Sequence, residues 1–172
     1  MLKKKICMVG RFGVGKSSLV RRFVDSVFDE RYLATLGVKI DTKEVAAASR
    51  TVALAIWDIA GEDDLAQVRS SHLRGAAGYL LVADGCRKAS FAKALELQNR
   101  IEGQFGSLPS LLLVNKADLR DQWEIASGDL EAYTARGYLW RETSAKSGDG
   151  VEAAFQLIAE KLLDASSDED EE

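Results

Sequence analysis

Eight residues near the start of the chain, Gly10-Arg11-Phe12-Gly13-Val14-Gly15-Lys16-Ser17, fit the spacing G-x-x-x-x-G-K-[ST]. That spacing suits a phosphate chain. Glycines let backbone N–H groups converge on phosphate oxygens, and a helix opening just behind them adds the positive end of its dipole. Lys16 supplies a point charge for β and γ phosphates, and the Ser17 hydroxyl can reach Mg²⁺. Asp58-Ile59-Ala60-Gly61 follows a predicted strand, Val52–Trp57. Its Asp58 can hold a Mg²⁺-bound water, and the Gly61 N–H can face a γ-phosphate. Asn115-Lys116-Ala117-Asp118 follows the apolar run Leu111–Val114. A carboxylate such as Asp118 accepts two hydrogen bonds side by side. Guanine offers two adjacent donors there and adenine does not. A buried carboxylate left unpaired is costly, so the discrimination can be large. Ser144-Ala145-Lys146 closes the set: its backbone can contact the base oxygen, and the Lys146 stem can cover the base plane.

These groups need a scaffold, and the chain supplies one by alternation. Ile6–Val9, Val38–Val45, Thr51–Ile56, Tyr79–Val82, Leu111–Val114 and Tyr138–Trp140 read as strands. Ser17–Asp25, Phe91–Phe105, Leu130–Ala135 and a last helix from Val151 read as helices, with a weaker pattern over Glu62–Arg74. Asp149 and Glu152 have the spacing of a capping box for the last helix. Strands alternating with helices imply a mainly parallel sheet covered on both faces, with ligands at the carboxyl ends of the strands. Each motif falls just after a predicted strand.

Length and charge narrow the class. The 172 residues make one ordinary domain, and 47% apolar with 29% charged residues excludes a disordered chain. The net charge of −4 belongs to the end of the chain: without the five acidic residues 168–172, 22 acidic residues face 23 Lys and Arg. So neutral a body gives no reason to expect nucleic acid as partner. Lys3-Lys4-Lys5 before Ile6–Val9 mimics the start of a signal peptide, but the apolar run stops at Gly10, and no stretch reaches the ~18 residues of a membrane span. Cys7 and Cys86 each sit in an apolar run and are expected as reduced thiols in buried strands. Residues 1–164 are expected to form the globular domain, and 165–172 an acidic, disordered tail.

The four motifs, in this order, resemble the Ras superfamily of small GTPases over about residues 5 to 163. Thr35-Leu36-Gly37-Val38 and Trp57-Asp58-Ile59-Ala60-Gly61 are most similar to its Rab-like branch. The resemblance implies an α/β P-loop NTPase fold, with a six-stranded, mostly parallel sheet and about five helices on both faces. It implies GTP and GDP as ligands with Mg²⁺, and two loops that order around the γ-phosphate. It places Gly13, Val14, Gly15, Lys16, Ser17, Ser18, Tyr32, Thr35 and Gly61 at the phosphates. Phe28, Asn115, Lys116, Asp118, Ser144, Ala145 and Lys146 go to the base, and Ser17, Thr35 and Asp58 to the metal. Lys16, Thr35, Gly61 and the residue after it would serve catalysis. Arg31, Leu33, Leu36, Val38, Trp57 and Leu65 would meet effectors, an exchange factor or an activating protein.

Three positions depart from the family pattern. Glu62 stands where a glutamine usually orients the attacking water. An ionised Glu62 accepts from water but cannot donate toward the phosphoryl group, which predicts slow hydrolysis. Phe12 occupies a P-loop position usually held by a small residue, on the route of a trans-acting arginine. No cysteine stands at the end of the sequence for prenylation, which predicts a cytoplasmic protein without a direct lipid anchor; a monomer is expected. A GTP-binding adaptor with negligible hydrolysis is the second reading. A P-loop phosphotransferase is remote, because no Arg-rich lid is evident.

Overall fold

Lys3, Lys4 and Lys5 lie inside a strand, although the apolar pattern alone starts that strand at Ile6. In the computed structural model, which describes residues 1–24, 38–59 and 71–168 in full and 30–33, 70 and 169 by backbone, β1 runs Leu2–Val9. The lysine stems make its first half tenable. Lys5 Nζ sits 3.6 Å over the Trp57 ring and donates to the Arg74 carbonyl at 2.9 Å. Lys4 Nζ donates to Ser166 Oγ at 2.8 Å. Apolar stems cover the sheet while their charged heads find partners.

The remaining elements are α1 (Lys16–Val24), β2 (Glu30–Leu33), β3 (Val38–Ala47), β4 (Arg50–Ile59), α2 (Ser70–Leu73), β5 (Gly78–Asp84), α3 (Lys88–Phe105), β6 (Ser110–Asn115), a 3-10 helix (Ala117–Gln122), α4 (Ser127–Ala135), β7 (Trp140–Thr143) and α5 (Val151–Glu169). The strands form one sheet in the order β2-β3-β4-β1-β5-β6-β7. From β4 to β7 the pairing is parallel, and β2 and β3 add an antiparallel edge. Six strands correspond to the expected six. The seventh, β2, is a four-residue edge strand whose pairing with β3 no apolar alternation announces. Also, β7 starts at Trp140 rather than Tyr138, because its register on β6 (Leu112 opposite Trp140) leaves Tyr138 outside, where its hydroxyl donates to Glu102.

Alternate residues of the central strands go to opposite faces. Ile6, Met8, Leu54, Ile56, Leu80 and Val82 pack under α1 and α5. Cys7, Val9, Tyr79, Leu81, Leu112 and Val114 pack under α3 and α4. Phe23 of α1 stacks on Phe155 of α5 at 3.9 Å between ring centroids, which fixes the helix that opens at Lys16. Burial on both faces is why these strands read as continuous apolar runs.

One expectation about the end of the chain is corrected. The helix does not stop near Leu163: α5 continues through the Ser and acid stretch to Glu169. Ser166 and Ser167 donate to the carbonyls of Leu162 and Leu163, four residues back, and Lys4 ties Ser166 to the sheet. At its start, Glu152 lies 3.7 Å from Lys43 of β3, and Gly150 enters the helix with φ +72°. Among the described residues, no helix is long and apolar enough to cross a membrane.

Candidate functional site

The P-loop spans the gap between the end of β1 at Val9 and the first turn of α1. Gly13 and Gly15 adopt φ +82° and +101°, which only glycine takes without strain. Gly15 also passes so close to the Asn115 amide that a Cβ would collide with it. At Gly10 a Cβ would lie 2.5 Å from the Val82 carbonyl oxygen. The motif's glycines therefore serve both conformation and close approach. Phe12 points outward at the tip of the turn, 68% exposed. Lys16 is buried, and its ammonium folds back over the loop, donating to the Gly10 carbonyl at 2.7 Å and to the Arg11 carbonyl at 3.4 Å.

Ser17 donates its hydroxyl proton to Asp58 Oδ2 at 2.5 Å, across 41 residues of sequence. Asp58 is buried at the end of β4, and its Oδ1 has no hydrogen-bond partner. Burial pushes this carboxyl above the ordinary carboxylate range, and the Ser17 bond with the charges of Lys16 and Lys39 only partly opposes it. An orphaned, desolvated carboxylate oxygen beside a hydroxyl with free lone pairs is a hard-oxygen donor set that fits Mg²⁺. The sign of the shift makes a prediction. A carboxyl whose folded pKa is raised contributes stability at acid pH, and loses it as pH rises through the folded value. At neutral pH, Asp58→Asn therefore raises the melting midpoint of the metal-free protein, by about 2–4 °C per kcal/mol relieved. The gain shrinks toward pH 4. A fall in the midpoint at neutral pH would contradict it.

Asn115, at the end of β6, is a junction. Its Nδ2 donates to the Val14 carbonyl at 3.0 Å, and its Oδ1 accepts from Thr143 Oγ1 at 3.3 Å and from the Ala145 N–H at 3.2 Å. It thus fastens the P-loop to the loop after β7. Lys116 follows in left-handed backbone, φ +73°, and its ammonium meets Asp84 Oδ2 at 2.7 Å. Asp118 Oδ1 accepts from Ser144 Oγ at 2.8 Å, and Ser144 Oγ accepts from the Ser147 N–H. The expectation that Asp118 is itself buried is corrected: its side chain is exposed at the mouth of a cavity, and only a bound base would desolvate it. Arg22 of α1 donates to the Ser147 carbonyl, linking the phosphate helix to this last loop.

These pieces enclose one cavity of about 510 Å³. Gly13, Gly15 and Ser18 of the P-loop segment line it together with Asn115, Lys116, Asp118, Ala145 and Lys146. Leu119 also lines it, though nothing in its sequence neighbourhood marks it. Asp84, which pairs with the Lys116 ammonium, is a neighbour of the site that motif reading passes over. An Asp closing an otherwise apolar strand, at the carboxyl edge of a parallel sheet, is the signal that could have found it.

Several expected residues lie outside this picture. Phe28, Thr35, Leu36, Gly61, Glu62 and Leu65 lie outside the described residues. Arg31, Tyr32 and Leu33 are described by the backbone of β2 alone. Val38 is buried and Trp57 half-buried on the β3–β4 side of the sheet. Of the two cysteines, both free, Cys7 is buried in β1, where desolvation pushes its thiol up to about 12. Cys86 is not in a strand but half-exposed in the turn after β5.

A family model described as the Ras family matches residues 5–164. The chain belongs to the Ras family. It is 38% identical over 162 residues to Ras-related protein Rab-18-B of Danio rerio, covering 92% of this chain and 78% of that one. Rab-18 of Lymnaea stagnalis is 35% identical over 161 residues (92% and 80%), and Rab-1 of Theileria annulata 36% over 163 (93% and 74%). This Ras-family chain is thus a Rab-like small GTPase, a GTP-binding switch with the P-loop GTPase fold. Proteins of the family bind guanine nucleotides with Mg²⁺, hydrolyse GTP, and engage regulators and effectors.

Proposed function

We propose that the cavity holds GTP or GDP with the phosphates on the P-loop and the base against Asp118, and that GTP is hydrolysed slowly to GDP and phosphate. One observation carries this reading: Gly13 and Ser18 open onto the same cavity as Asp118 and Lys146, so a phosphate cradle and a two-acceptor carboxylate face one ligand. Lys16 leaves its carbonyl partners for the β and γ phosphates. Ser17, Thr35 and Asp58 hold the metal. Mg²⁺ held by these residues would neutralise phosphate charge and supply electrostatic stabilisation there.

The protein's own work is positioning. P-loop amides, the Gly61 N–H and Lys16 fix the γ-phosphoryl group, and Ser144 orients the carboxylate that selects guanine. Water must then be aligned by Glu62 or by a residue from a partner. Glu62 accepts from that water but donates nothing toward the oxygens that gain charge. Phe12, outward on the loop, obstructs an arginine arriving from an activating protein. Effectors and regulators would read the segments around Thr35 and Glu62 by their preference for one nucleotide state.

Single-turnover GTP hydrolysis with Mg²⁺ tests the slow step. The unaltered protein turns over slowly, and Glu62→Gln accelerates it by about tenfold or more, since positioned proton donors and acceptors contribute on the order of 10²–10⁴. Phe12→Gly does so only when an arginine-bearing activator is present. A rate that falls on Glu62→Gln would mean that Glu62 takes part in the chemistry. No turnover in the unaltered protein, restored by either substitution, would favour the adaptor reading.

A further inference from the structure

The two loops that shape the base end of the cavity close on one side chain that no motif includes. Trp123 follows the 3-10 helix, and its indole Nε1 donates to the Lys116 carbonyl at 2.8 Å. That carbonyl belongs to the one residue of the base loop held in left-handed backbone. A β-carbon-bearing residue does not hold that conformation without support from its surroundings. The indole ring lies on Gly85, where any Cβ would strike it. The chain beyond the ring returns to the same glycine: the Glu124 and Ile125 N–H groups both donate to the Gly85 carbonyl, at 2.9 and 3.2 Å. The Arg120 guanidinium stacks on the ring, 4.3 Å from its centroid, and pairs with Glu142 of β7. The indole is thus clamped between the turn after β5 and the base loop after β6, with β7 behind Arg120.

We propose that Trp123 is a positioning residue for guanine recognition. It touches no nucleotide. Its N–H holds the Lys116 peptide so that Asp118, two residues on, stands at the angle where one carboxylate accepts from both the ring N–H and the exocyclic amine of guanine. Side-chain torsion of Asp118 is already fixed by Ser144. The Trp123 bond fixes the backbone that carries it. The inference rests on the guanine reading given above, and commits it to a structural support outside the four motifs.

Trp123→Phe keeps an aromatic ring over Gly85 and removes the donor. Dissociation of GDP from the full chain with Mg²⁺ is then expected to speed up about tenfold, the scale of one lost hydrogen bond to a partly buried carbonyl. Preference for GDP over inosine diphosphate, which lacks the exocyclic amine, is expected to fall at least threefold, because alignment toward that amine is what is lost. Equal weakening toward both nucleotides with a lower melting midpoint would mean a merely structural tryptophan, and would overturn the proposal. So would unchanged dissociation. Should Trp123→Phe fail to fold, benzothienylalanine at position 123 preserves the ring's shape and deletes only the N–H, and is read in the same way. Failure of the unaltered protein to bind GDP would instead fault the guanine reading itself.

Discussion

Asp118→Asn lowers GDP affinity by on the order of 10³- to 10⁵-fold and raises affinity for xanthosine diphosphate. The carboxylate offers acceptors to two guanine donors; the amide puts an N–H where one acceptor stood, facing the exocyclic amine. A site built to hydrogen-bond one group rejects an analogue that leaves its polar groups unpaired by about this much. Xanthine carries a carbonyl in place of that amine and restores the match. Ser144 gives the substitution its leverage, because its 2.8 Å bond to Oδ1 holds the group in one orientation as the base covers it. Competition binding with the two diphosphates checks the result. A variant that keeps GDP preference would show that Asp118 does not read the base.

The second large effect is at Lys16. Its ammonium is buried and satisfied by the Gly10 and Arg11 carbonyls, so it is held at the loop before any phosphate arrives. Removing one member of a buried, hydrogen-bonded charge pair costs about 2–5 kcal/mol. Lys16→Ala should therefore weaken GTP and GDP by roughly thirty- to several-thousand-fold. The loss leaves guanine preference intact, since Lys16 lies at the phosphate end. Calorimetric titration of the variant with GDP and inosine diphosphate separates the two effects. A changed ratio between them would contradict the division of the cavity into a phosphate end and a base end.

What the sequence made legible was set by how tightly chemistry constrains residue type. The P-loop could be read because its glycines must take positive φ and its lysine and serine have few substitutes. Asn115, Asp118 and Ser144 stood out as a set because a site for guanine would fix both donors and acceptors, and the fold joins Asp118 to Ser144 and Asn115 to the Ala145 N–H. The central strands β5 and β6 were legible because burial on both faces leaves only apolar residues. Where contacts across the chain decided the outcome, local pattern was silent. The lysines of β1 join the sheet through Trp57, Arg74 and Ser166, all remote in sequence. The serines past Leu163 read as tail, yet their hydroxyls bond back within α5. Asp84, closing β5, and Trp123, past the 3-10 helix, bond to Lys116, so only the fold reveals them.

The most direct measurement is equilibrium titration of the nucleotide-stripped full chain with GDP and with ADP in the presence of Mg²⁺. Both diphosphates offer the same groups to the P-loop, so the difference between them isolates recognition of the base by Asp118 and the loop after β7. Tight GDP binding is expected, with ADP weaker by on the order of 10⁴-fold or more. Equal affinity for the two, or failure to bind GDP, would contradict it.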